Sequence, residues 1–197
     1  MAAQAHTCTV TTTWFGFFRI LRGSNEILDD SPLSLPPYSF ESKAVWIQVP
    51  TSIKEKVESQ KLSFPAGLHA AAHAVLNVVP LFILCNSADL ASDCANPREI
   101  PLVLADGIVF RRRQVHERIL LYDKHPGGSG ISAQVQPRFR EILVAALELL
   151  KTCHCCEESG CPSCDQILSC REYNECLHKN CAIIILEGVI TSGWSQS

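Results

Sequence analysis

Eight of the eleven cysteines in this 197-residue chain fall in its last quarter: Cys153, Cys155, Cys156, Cys161, Cys164, Cys170, Cys176 and Cys181. So many thiols so close together are either a disulfide framework or a metal site, and the two belong to different compartments. An exported framework comes with a leader and even pairing. The stretch Met1 to Phe18 has no basic start followed by an apolar run and a small-residue cleavage site, and eleven is an odd number. The expectation is therefore a reducing compartment, nuclear or cytoplasmic and not secreted, with the cluster binding zinc. Cys161-Pro-Ser-Cys164 is a C-x-x-C knuckle, which supplies two of the four soft ligands that zinc holds at about 2.3 Å. The upstream pair is most economically Cys153 with Cys155, although Cys156 could replace either and Cys170 could displace one. Loose buried thiols and an oxidised pair are the bland alternatives. Four thiolates leave no open coordination position, so such a zinc would hold the fold together and would not activate water.

Composition sets the frame around this cluster. With 47% hydrophobic and 19% charged residues the chain can bury a core, as one domain or at most two. Lys+Arg 17 against Asp+Glu 20 gives a net charge of −3, which excludes a global basic field and leaves only local contact with nucleic acid. The patterning predicts an α+β fold: a β-rich part over 1–50, an α/β core over 51–152, and a zinc knuckle with a terminal helix over 153–197. Thr7 to Ile20, rich in β-branched and aromatic residues, predicts a strand pair, and the prolines between Asp29 and Tyr38 predict a loop. Ala44 to Val49 reads as a short strand, Ile53 to Leu62 as a polar helix, and Gly67 to Cys85 as an apolar helix ended near Pro80. Beyond a polar loop, Pro101 to Phe110 and Ile119 to Asp123 read as strands. Pro137 is expected to open an amphipathic helix, and Cys181 to Ile190 another. Ala66 to Cys85 has the length of a membrane span, but it contains His69, His73, Asn77 and Pro80 and lacks basic flanks, so a buried helix and no membrane partner are expected.

Three further patterns bear on chemistry. His69 and His73 share a helix face, as in H-E-x-x-H proteases, yet Ala70 stands where the general base would be. Two histidines satisfied by hydrogen bonds beneath the β layer are the simpler expectation. Tyr122-Asp-Lys-His-Pro-Gly127-Gly128-Ser-Gly130 runs from a strand into a glycine turn, where Gly127, Gly128 and Gly130 form a candidate anion turn or a purely structural one. It matches neither the Walker A nor the G-x-G-x-x-G pattern, and no DEAD or DEAH box occurs. No small-molecule substrate is expected. Arg111, Arg112, Arg113 and Arg118 form the one dense basic run and the candidate DNA contact.

Taken together, Gly67-Leu-His-Ala-Ala-Ala-His-Ala, Leu121-Tyr-Asp-Lys-His-Pro-Gly-Gly-Ser-Gly130 and Cys153-His-Cys with Gly160-Cys-Pro-Ser-Cys164 resemble the C-terminal zinc-binding domain of MrfA-like DNA helicases. These are DEAD/DEAH-type, superfamily-two enzymes with RecQ-like relatives in fungi and plants. The resemblance runs over nearly the whole chain. It implies an accessory domain beside an ATP-driven 3′-to-5′ helicase core in DNA repair, with structural zinc on Cys153, Cys155, Cys161 and Cys164. ATP and magnesium would enter only through a helicase core, met in cis or in trans and absent from this chain, which then reads as a fragment or truncated form and not as an enzyme by itself. Two departures matter: the family's His-Ala-Ala-Glu-His has glutamate where this chain has Ala72, and the link between the cysteine pairs is longer here. The alternative is a stand-alone zinc module that binds a protein partner.

Overall fold

The structure is a computed structural model that describes residues 2–14, 16–24, 26–86, 88–94, 99–104, 107–112, 115–155 and 160–192, with 99–104 and 107–112 described as backbone alone. Alternation of side chains builds its central sheet. In β4 (Tyr38–Gln48), Val45 and Ile47 are buried on one face while Ala44 and Trp46 point to the other. In β8 (Arg118–Asp123), Ile119 and Leu121 alternate in the same way with Leu120 and Tyr122. With β1 (Gln4–Thr12) and β5 (Leu90–Ser92) they form an antiparallel sheet in the order β1-β4-β8-β5.

The strand pair expected within Thr7 to Ile20 does not form. β1 pairs instead with β4 in unbroken register from Gln4 opposite Trp46 to Thr12 opposite Tyr38. β2 (Gly16–Ile20) is exposed throughout and pairs locally with β3 (Ile27–Pro32), where an ion pair joins Arg19 to Asp29. The loop expected from Asp29 therefore begins only after Pro32. A second separate hairpin joins β6 (Glu99–Leu104) to β7 (Gly107–Arg112).

Helices cover the Val45–Ile47 face. α1 (Thr51–Ser59) follows Pro50, and α2 (Phe64–Val78) starts at Ser63, whose hydroxyl accepts from the Ala66 N–H. A short 3-10 turn at Val79–Leu81 carries Pro80 and ends the apolar run where the proline predicts. α2 packs against β8, β5, α3 (Ile131–Thr152) and α4 (Lys179–Thr191). It approaches α4 so closely that a Cβ on Gly67 would lie 2.1 Å from the Cys181 sulfur. Phe64–Leu81 is long and apolar enough to cross a membrane, but 78% of it is buried inside this fold.

α3 begins six residues before Pro137, which thus lies inside the helix instead of opening it. The reason is the buried Asp123, whose two carboxylate oxygens accept from the Gly130 and Ser132 N–H groups at 2.8 and 2.9 Å. That cap starts the helix early, and burial of Ile131, Val135, Phe139, Ile142, Leu143, Ala146 and Leu150 along one face offsets the bond that Pro137 cannot make.

Candidate metal centres

Between α3 and α4, the described residues from Cys153 to His178 form no long regular element, and Gly160, Cys161, Cys164, Asp165 and Leu177 are the buried ones among them. A polar stripe on α2 holds it. His69, His73 and Asn77 recur every four residues, hence on one helical face. The Asn77 Nδ2 donates to the Cys164 and Gln166 carbonyls, both at 3.2 Å. His73 Nδ1 lies 2.9 Å from the Asp165 carbonyl. Because a carbonyl only accepts, this nitrogen is the protonated one and Nε2 carries the free lone pair. His69 Nε2 lies 3.4 Å from the Cys170 sulfur. Farther along, the Asn174 side chain bridges the N–H and carbonyl of Ile167.

Cys153, Cys155, Cys161 and Cys164 converge at the end of α3, their sulfurs all within 4.8 Å of one another. The Cys153–Cys161 and Cys155–Cys164 pairs stand at 3.9 and 3.8 Å. A disulfide needs about 2.05 Å. Four sulfurs placed tetrahedrally about 2.3 Å from one ion stand about 3.8 Å apart, so the donor set fits a single zinc. The surroundings suit thiolates. The Ser163 N–H donates to the Cys161 sulfur at 3.3 Å, and the Lys179 ammonium donates to the Cys155 sulfur at 3.1 Å and to the Cys153 carbonyl at 2.6 Å. Asp165 closes the knuckle turn by accepting from the Cys161 N–H at 2.5 Å. Burial, and next the charge of Asp165, push the Cys164 thiol well above its ordinary range, so binding an ion here must displace a proton. Cys156, weighed as an alternative ligand, lies outside the described residues. Cys170, the other alternative, stands with different partners.

Those partners are His69, His73 and Cys94, whose donor atoms with that of Cys170 all lie within 4.8 Å of one another. Cys94 lies 3.5 Å from His73 Nε2. The two imidazoles meet edge-on with centroids 4.3 Å apart, and His69 Nδ1 is buried with no hydrogen-bond partner among the described residues. The hydrogen bond between the two thiols pushes Cys94 up and Cys170 down. Sequence reasoning found the histidine pair but missed Cys94, because nothing near position 94 marks it; only the folding of β5 against α2 brings it in.

The other sequence candidates are placed as follows. In the glycine turn, Gly127, Gly128 and Gly130 all have positive φ. The Gly127 N–H goes to Glu41, that of Gly128 to His125 and that of Gly130 to Asp123, so the turn's amides are used within the fold. Arg111 and Arg112 end β7, with only their backbone described, and Arg113 lies outside the described residues. Arg118 stacks over Trp46, 5.6 Å from the ring centroid, and its Nε is buried.

Residues 71–165 match the family model described as the MrfA Zn-binding domain. The ATP-dependent helicase hrq1 of Schizosaccharomyces pombe is 30% identical over 153 residues, 76% of this chain and 14% of that protein. HRQ1 of Saccharomyces cerevisiae is 27% identical over 89% of this chain and 16% of its own length. A short protein of Methanocaldococcus jannaschii, MJ1572.1, is 27% identical over 63% of this chain and is covered in full. The crystal structure of the DUF1998 helicase MrfA bound to DNA shares the fold, with a TM-score of 0.52 and 23% identity over 94% of this chain and 22% of that one. The chain thus spans about one sixth or less of the length of the two yeast helicases it matches.

Proposed function

We propose that this chain, whose residues 71–165 match the MrfA Zn-binding domain model, acts as the zinc-stapled accessory module of an ATP-dependent DNA helicase. Cys153, Cys155, Cys161 and Cys164 hold the ion, and its role is structural. The carrying observation is the sulfur spacing of 3.8–3.9 Å within the segment that matches the MrfA Zn-binding domain model. Closed coordination by four thiolates leaves water no position to occupy, so the module contributes shape and contacts while ATP hydrolysis belongs to a core met in cis or in trans. A role in DNA repair and a nuclear or cytoplasmic setting follow from the same reading.

Contact with the core has a natural surface. Hairpin β2–β3 exposes five large apolar side chains, Phe17, Phe18, Ile20, Ile27 and Leu28, a grouping of the kind that marks interaction surfaces. DNA contact falls to Arg111–Arg113. Arg118, held against Trp46, has less freedom to reach a phosphate. The second reading, a stand-alone module for a protein partner, draws on the same hairpin and on a relative of this chain that consists of the matched segment alone.

The test supplies the purified zinc-loaded chain to a helicase of this family from which the matching segment has been deleted. Restored DNA-dependent ATPase, together with a salt slope of DNA affinity that flattens when Arg111, Arg112 and Arg113 become alanine, is the expected result. Absence of binding to the core and to DNA overturns the accessory reading.

A further inference from the structure

We propose that His69, His73, Cys94 and Cys170 form a second structural metal site, taking one zinc-class divalent ion on two imidazole nitrogens and two thiolates. Its argument is geometric and does not depend on the helicase reading: His73 and Cys94 lie inside the matched segment 71–165, while His69 precedes it and Cys170 follows it.

The geometry is that of a coordination shell. For an ion bound about 2.05 Å from nitrogen and 2.3 Å from sulfur at tetrahedral angles, the N···S edge is about 3.5 Å. The Cys170–His69 and Cys94–His73 edges measure 3.4 and 3.5 Å, both to Nε2. The Asp165 carbonyl fixes the His73 tautomer that aims a lone pair inward, as the outer partner of a metal-bound histidine does. Both histidines are fully buried and Cys94 is 8% exposed, and so many donors facing one another away from water need either a complete set of mutual hydrogen bonds or an ion. The four donor atoms all lie within 4.8 Å of one another, a spacing that one ion spans.

The donor chemistry also sets the role. Two nitrogens and two thiolates select zinc over hard cations, and four protein ligands close the shell against a ligand water. What the ion would do is mechanical. It ties α2 to the end of β5 through Cys94 and to the loop through Cys170. Just past Cys170, Tyr173, Asn174 and Cys176 all hold left-handed backbone at φ 54°, 57° and 55°, a conformation that side chains adopt only when the surroundings enforce it. Asp165 couples the centres, its carboxylate closing the Cys161 knuckle and its carbonyl orienting His73.

The test is metal analysis of the desalted wild-type chain with X-ray absorption at the zinc edge. About two zinc ions per chain, with an average first shell of about three sulfurs and one imidazole nitrogen per zinc, are expected. The Cys94→Ser/Cys170→Ser variant should keep one ion in an all-sulfur shell, and Cys153→Ser/Cys161→Ser should keep one with mixed ligands. No ion in the wild type, a single ion there in an all-sulfur shell, or a Cys94–Cys170 disulfide in its denatured mass spectrum overturns the proposal. Because the wild-type readings suffice, a variant that fails to fold does not shelter it. Failure of the first centre would show differently, as mixed ligation alone.

Discussion

Helix α2 has two unlike sides, and the same residue type is buried on each. Toward α4 lies Cys181, fully buried and packed on Gly67. Toward the loop lies Cys164, equally buried, among three other thiols. On the first side the partners are apolar: Ala182, Ile185, Leu186 and Val189 from α4, with Val45, Ile47, Ile119 and Leu121 of the sheet contributing to the same core. That side holds by area removed from water, at roughly 25 cal/mol per Å². The loop side adds only Cys161, Cys164 and Leu177 to that core. Leu168 and Tyr173 point into solvent, and what attaches the segment is the stripe of His69, His73 and Asn77 with the sulfur clusters. A loop of this kind is ordered by donors, so its stability is tied to what the donors bind.

Removing the metal tests this division most severely. Structural zinc in small peptides contributes about 10–16 kcal/mol of apparent binding energy, so chelation should cost the loop its order altogether. Amide exchange is expected to rise sharply over 160–178 while β4, β8 and the middle of α2 stay protected. Exchange that rises in both regions together would break the comparison and make zinc the support of the whole fold, as the cysteine count by itself suggests. The converse perturbation is smaller. Asp123→Ala deletes both bonds that start α3, and should cost about 2–3 kcal/mol in denaturant unfolding with zinc content unchanged. Zinc lost in step with Asp123 would show that the two regions are not separable.

The apolar side was the legible one. Alternation in β4, the apolar run of β8 and the apolar content of α2 located the sheet and the central helix, and Pro80 marked its end. The convergence of Cys153, Cys155, Cys161 and Cys164 was legible too, because the four lie within twelve residues of one another and local spacing encodes it. Three things were not. Strand partners depend on register between distant segments, so β1 went to β4 and not to its neighbour. The start of α3 depends on a carboxylate from the preceding strand, which the position of Pro137 hides. The grouping of His69, His73, Cys94 and Cys170 spans about a hundred residues, and only the H-x-x-x-H half has a local signature.

The smallest expected effect separates the two buried cysteines by pH. Burial pushes the Cys181 thiol up to about 11 from 9.0, its closeness to the Gly67 backbone pulling the other way. Between those values the folded chain keeps a proton that the unfolded chain releases. Its stabilising contribution is therefore fully present below pH 9 and is lost as pH rises toward 11, a fall of about 2 kcal/mol across the window. Cys181→Ala removes the titrating group. Its unfolding free energy should start about 1 kcal/mol lower at pH 8 from the lost sulfur contact, decline less steeply, and meet or cross the wild-type curve near pH 10 to 11. Zinc content should follow the same course in both proteins, since Cys181 belongs to neither cluster of metal-ligand geometry. Parallel curves would mean that Cys181 does not titrate differently from an exposed thiol, and that the apolar side of α2 admits water as the loop side does.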